Sequence, residues 1–106
     1  MLSKTTSLGQ YLRELRMEKG KTLHEVSKGV DIDSPLLSKI ERSERLPTLQ
    51  QVKRLSRFYK ITETSLKIKM AAEKIVKDYG LNATTYDAIK LVEEQLVEYG
   101  KKPSNT

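Results

Sequence analysis

An all-α fold, four short helices around one core followed by a helical extension, is what the amino-acid sequence predicts, and three observations predict it. No run alternates apolar and polar residues with period two between turn residues, so strands have no signature. Apolar residues recur instead at spacings of three and four, the period of a helix with one buried face. Cap and stop residues stand between these stretches: Ser7, Thr22, Asp33, Thr48 and Thr62 at starts, Gly20 and Gly80 at ends. The 106 residues suffice for one domain of ordinary size plus a modest appendage, and exclude a second large domain.

Each element follows from its own residues. Ser7 caps a first helix that buries Leu8, Leu12 and Leu15 and stops at Gly20, which suits the left-handed position beyond a helix end. Thr22 and Glu25 form T-x-x-E, the reciprocal capping box, so a short second helix starts there and buries Val26 and Val30. Asp31-Ile32-Asp33 is a tight turn, Asp31 being one of the few non-glycine residues that tolerate positive φ. A third helix is expected from Ser34 to Arg42, with Pro35 harmless in its first turn and Leu37 and Ile40 facing inward. Arg45-Leu46-Pro47 interrupts the pattern. Thr48 restarts it with Leu49, Val52, Leu55, Phe58 and Tyr59 on a fourth helix. Thr62 caps a fifth helix through Leu66, Met70, Ile75 and Val76 to Tyr79. A last helix from about Thr85 carries Ile89, Val92, Leu96 and Tyr99, an a/d-type seam. The expected organisation is a domain over 1–66, a helical extension over 67–100 and a disordered tail over 101–106.

Charge narrows the function. Residues 1–60 hold thirteen basic and seven acidic residues and 61–106 hold seven of each, so the whole excess of +6 lies in the first part. A segregated positive charge points to a polyanion-binding module followed by a segment with another task. The chain has no Cys and a single His24, which leaves no set of ligands for a structural metal, and no cofactor is expected. Glu93 and Glu94 are sequence neighbours that diverge on a helix, the Ser and Thr residues lack a nearby base, and five scattered Gly make no phosphate loop. No catalytic residue is therefore assigned, and an enzyme is not expected. No apolar run reaches the ~18 residues a membrane span needs, so a cytoplasmic protein without membrane contact is expected.

A short helix, a turn and a second short helix that begins at a polar cap is the arrangement that presents one helix to a DNA major groove. Lys21–Ser43, KTLHEVSKGVDIDSPLLSKIERS, resembles the Cro/repressor-type helix-turn-helix family, the xenobiotic-response-element type. LGQYLRELRMEKG before it and PTLQQVKRLSRFY after it fit the same family, over residues 7–66 in all. The resemblance implies a lambda-repressor-like domain and a sequence-specific DNA-binding transcription regulator, a repressor or autoregulatory controller. It places Asp33, Ser34, Pro35, Leu36, Ser38 and Lys39 at base edges. Lys39 would donate to guanine, the serines would donate or accept, and Pro35 with Leu36 would touch thymine methyls. It places Thr22 and Leu23, through the amides at their helix end, and Arg42 and Arg45 at DNA phosphates, with Lys21, Lys28 and Lys53 as lesser candidates. Arg16 and Glu41 occupy the positions of an ion pair that joins the first helix to the third. The chain departs from the family at Asp31 and Ser43, where glycine is usual, and at Leu23, where a phosphate-binding Gln is common.

The seam Ile89, Val92, Leu96, Tyr99 is too short for an independent coiled coil. It either folds back on the fifth helix or meets a second copy. Dimerisation is the expectation, because one module reads few base pairs whereas a twofold dimer reads two half-sites of a palindromic operator. The competing reading is an antitoxin-like interaction module whose last helices bind a protein partner, with DNA binding secondary.

Overall fold

A computed structural model describes residues 6–100 and contains six helices with no strand among the described residues. They are α1 (Leu8–Glu18), α2 (Leu23–Val30), α3 (Ser34–Glu41), α4 (Leu49–Tyr59), α5 (Glu63–Tyr79) and α6 (Ala83–Gly100). The tail 101–106 lies outside the described residues. The chain divides into two units, one ending at Glu73 and one beginning at Lys74, with α5 contributing to both.

Helix starts follow the polar caps. Ser7 Oγ accepts from the Gln10 amide at 3.2 Å, and Asp33 Oδ1 accepts from the Leu36 amide at 2.8 Å. Thr22 and Glu25 exchange two bonds of 2.8 and 3.1 Å, and Thr48 and Gln51 repeat the same box at 2.9 and 3.1 Å. Two boundaries differ from the sequence reading by a residue or two. α3 closes at Glu41 with Arg42 as its C-cap, and α6 starts at Ala83 because Asn82 Oδ1 takes the Thr85 amide at 2.9 Å. Three helix ends place a non-glycine residue in the left-handed region: Asp31 (φ 55°), Ser43 (φ 62°) and Lys60 (φ 56°).

Leu8, Leu12, Leu15, Val26, Val30, Ile32, Leu37, Ile40, Val52, Leu55 and Tyr59 are buried together, and Leu66 and Met70 of α5 join them. Leu49 does not: in the first turn of α4 it is 59% exposed. α1 packs on α3, and α2 on both α3 and α4. α1 crosses the end of α3 on bare backbone. A Cβ at Gly9 would stand 2.3 Å from the Ile40 carbonyl oxygen and 2.7 Å from that of Glu41, so only glycine fits there.

Polar contacts fasten the first part of α5 to α1. The Leu8 amide, open at the start of its helix, donates to the Glu73 carboxylate. Lys69 Nζ donates to the Thr6 carbonyl at 2.7 Å and lies 5.0 Å from the centre of the Tyr11 ring.

The second unit is a helical hairpin. Gly80 turns the chain at φ 81°, Asn82 Nδ2 donates to the Tyr79 carbonyl at 2.8 Å, and Thr85 Oγ1 donates to the same carbonyl at 3.0 Å. Thr85 is buried, yet no apolar side chain between Lys74 and Gly100 is. Between the two arms lies an open groove of about 580 Å³, lined by Ile75, Tyr79, Asn82, Thr84, Thr85, Ala88, Ile89 and Val92.

Candidate nucleic-acid interface

The residues of α3 sort onto two faces by helical spacing. Leu37, Ile40 and Glu41 are buried, and Leu36 is half-buried against the core. Ser34 and Ser38 are half-exposed, while Pro35, Lys39 and Arg42 are exposed. The outward stripe thus carries Ser34, Pro35, Ser38, Lys39 and Arg42. The Asp33 carboxylate beside them is engaged by the Leu36 amide.

Three sets of contacts hold this stripe in place. Arg16 of α1 grips Glu41 with a two-pronged fork, Nε to Oε2 at 2.9 Å and Nη2 to Oε1 at 3.0 Å, and spends Nη1 on the Lys21 carbonyl at 3.0 Å. The carboxylate side chain is only 5% exposed, and the bond to Glu41 raises the Arg16 pKa above its ordinary value. Burial, with the Glu41 charge beside it, likewise pushes the Tyr59 hydroxyl up. On the far side of the turn, Arg54 of α4 donates to the carbonyls of Val30 (2.7 Å) and Asp31 (3.3 Å) and so seals the end of α2. Ser27 Oγ donates across the turn to the Ile32 carbonyl.

At the start of α2 the capping box consumes the Thr22 amide, which donates to Glu25, so the phosphate contact expected through that amide does not stand. The amides this helix end presents outward are therefore those of Leu23 and His24. Leu23 itself is half-buried against the core, and His24 is exposed. The Glu25 carboxylate is held below its ordinary pKa, first by the bond from the Thr22 amide.

The charge of the interface is not the charge of the domain. From Thr22 to Glu44 there are three cations and five carboxylates, whereas Lys53, Arg54, Arg57 and Lys60 follow in α4 and at its end without an acid. Around α3 the exposed cations are Lys21, Lys39, Arg42 and Arg45. Arg42 is engaged: Nε and Nη2 donate to the two oxygens of Glu44 at 2.9 and 3.3 Å, and Nη1 donates to Ser38 Oγ. That pairing raises the Arg42 pKa and lowers that of Glu44.

The dimer-seam candidates Ile89, Val92, Leu96 and Tyr99 lie in the second unit and are 46–62% exposed. Ile89 and Val92 line its groove. Among the described residues, no helix is long and apolar enough to cross a membrane, and no group of three or more His, Cys, Asp or Glu could hold a metal ion.

Sequence reasoning did not find Glu44, Arg54 or Glu73. Glu44 stands two residues after Arg42, a spacing that carries no helical signal, and the partners of Arg54 and Glu73 lie 23 to 65 residues away. The reach from Thr22 to Glu25 was legible because its spacing is fixed by the helix itself.

A family model described as a helix-turn-helix domain matches residues 7–66 of the chain. No curated protein matches it.

Proposed function

The chain belongs to the helix-turn-helix domain family, and from that premise we propose that it is a sequence-specific transcription regulator which lays α3 in the major groove and binds a palindromic operator as a homodimer. The observation that carries the reading is the outward stripe of α3: Ser34, Pro35, Ser38, Lys39 and Arg42 face away from the core while Glu41 on the opposite side is clamped by Arg16. A helix with this division offers donors and acceptors to base edges on a rigid support. Arg45, Lys21 and the amides of Leu23 and His24 supply contacts to the phosphates on either side.

Dimerisation is assigned to the second unit. Eleven of its large apolar side chains, Ile75 to Tyr99, are 37–86% exposed. Together they offer on the order of 1,000 Å² per copy, about what one partner contributes to a stable interface and more than a monomer ordinarily leaves to water. A second copy with the same apolar face is the occupant that matches, and a pair of domains sets two recognition helices about one turn of duplex apart.

Footprinting on the DNA flanking the coding region tests the reading, together with binding at several salt concentrations. The expected result is a symmetric protected site and an affinity that falls with salt by about 0.9 log unit per log unit for each phosphate neutralised. A flat salt dependence would remove groove docking. Sedimentation of the full chain as a monomer at tens of micromolar would remove the dimer. Co-purification of a second protein in fixed ratio would transfer the apolar unit to an antitoxin-like role.

A further inference from the structure

We infer that Arg42 reads a guanine base instead of gripping a phosphate, with Ser38 and Glu44 as the residues that position it; the inference rests on the DNA-binding reading above. Ser34, Ser38 and Arg42 follow one another at intervals of four, so they stack on one stripe of α3 beside Pro35 and Lys39. A long side chain on a helix leans toward the N-terminus, over the residue four positions earlier. Arg42 does so, and its Nη1 donates to Ser38 Oγ. The guanidinium therefore lies along the outward stripe of the helix rather than beyond its end.

Glu44 takes the other edge of the group, accepting from Nε at 2.9 Å and from Nη2 at 3.3 Å. Its own position is fixed by the way α3 stops. Ser43 enters the left-handed region at φ 62°, its amide donates to the Ile40 carbonyl at 3.1 Å, and the Glu44 amide donates to the Lys39 carbonyl at 2.9 Å. This double bond pattern is the Schellman turn. It sets the carboxylate beside Arg42 by backbone geometry.

The consequence follows from counting donors. A guanidinium has five N–H groups in a rigid fork. Three are engaged by Ser38 and Glu44, which leaves one on each terminal nitrogen, and two such donors side by side match O6 and N7 of guanine. A carboxylate clamped to Arg42 also cancels the net charge on which a phosphate contact depends. Reading a base edge depends on direction instead, and gains from a side chain whose rotamers are already held.

The test is selection of sites from a randomised duplex pool by the full-length chain, then binding of wild type, Arg42→Ala, Arg42→Lys and Glu44→Gln to every single-base variant of the selected site. Arg42→Ala and Arg42→Lys should each lose roughly tenfold or more in preference for guanine at one base pair per half-site. For Arg42→Lys, which keeps the charge opposite Glu44, affinity for random duplex and the salt slope should stay as in wild type. Glu44→Gln should weaken preference at that same base pair without weakening binding to random duplex. Circular dichroism melting confirms that each variant is folded, as their exposed positions predict. Uniform weakening of all sequences by Arg42→Ala, a shallower slope and rescue by Arg42→Lys would overturn the assignment and return Arg42 to the phosphates. Full discrimination in Glu44→Gln would overturn the positioning role. A wild-type chain that selects no sequence would sink the DNA-binding reading itself, which the other outcomes leave standing.

Discussion

Among the described residues, the unit that ends at Glu73 buries a core of thirteen hydrophobic side chains, and the unit that begins at Lys74 buries none. Both were written with the same helical period, since Leu8, Leu12, Leu15 and Ile89, Val92, Leu96 repeat at equivalent spacings. The difference is what lies opposite. In the first unit α1 to α4 and the start of α5 present their apolar faces to one another. In the second, two arms line a shared groove, and side-chain hydrogen bonds gather at the turn around Asn82 and Thr85. A periodic pattern thus says that a helix has an apolar face, and says nothing of what covers it.

The first unit is most vulnerable at the Arg16–Glu41 fork. Glu41→Gln strands a guanidinium whose partner was nearly sealed from water, at a cost of about 3–5 kcal/mol and a drop in melting temperature of more than about 10 °C. An unchanged melting curve would mean that the first unit does not depend on this clamp.

Next come two leucines. Leu55→Ala, fully buried, should cost about 2–5 kcal/mol in denaturant unfolding. Leu96→Ala, 62% exposed, should shift the unfolding of dilute protein by less than about 0.5 kcal/mol and weaken self-association by sedimentation equilibrium about tenfold. Equal losses in dilute protein would show that the second unit has a core of its own.

Smaller effects sharpen the picture. Lys60 holds the left-handed position after α4, so Lys60→Gly should stabilise the first unit by about 0.5–1 kcal/mol in thermal melts. The smallest effect is acid-dependent. Because Glu25 sits below the ordinary value of 4.5 when folded, its contribution is complete above that pH and is lost as pH falls through the folded value. Glu25→Gln, which keeps an acceptor for the Thr22 amide, should flatten that part of the stability-against-pH curve.

Local chemistry made much of the first unit legible. The caps at Ser7, Thr22, Asp33 and Thr48 and the buried faces of α1 to α3 follow from intervals of three and four residues, which the helix itself fixes. The division of α3 into a buried and an outward face was legible for the same reason, except at Leu36, which the resemblance placed at a base edge and which is half-buried against the core. The details of the interface were less so. That the Thr22 amide is consumed by Glu25 follows from the box itself, yet the pairing of Arg42 with Glu44 needed the left-handed Ser43 to bring them together. Leu49 was read as core on periodicity alone, but a first-turn position can look past the bundle.

The carboxylate of Glu73 sits on the first amide of α1, although 65 residues separate the two, and Met70 one turn earlier is part of the core. A chain cut at Leu66, where the family match stops, would leave the Leu8 amide without its acceptor and the core without Met70. Any graft of this helix-turn-helix domain onto another protein should therefore carry the seven residues from Lys67 to Glu73 as part of the domain and not as spacer.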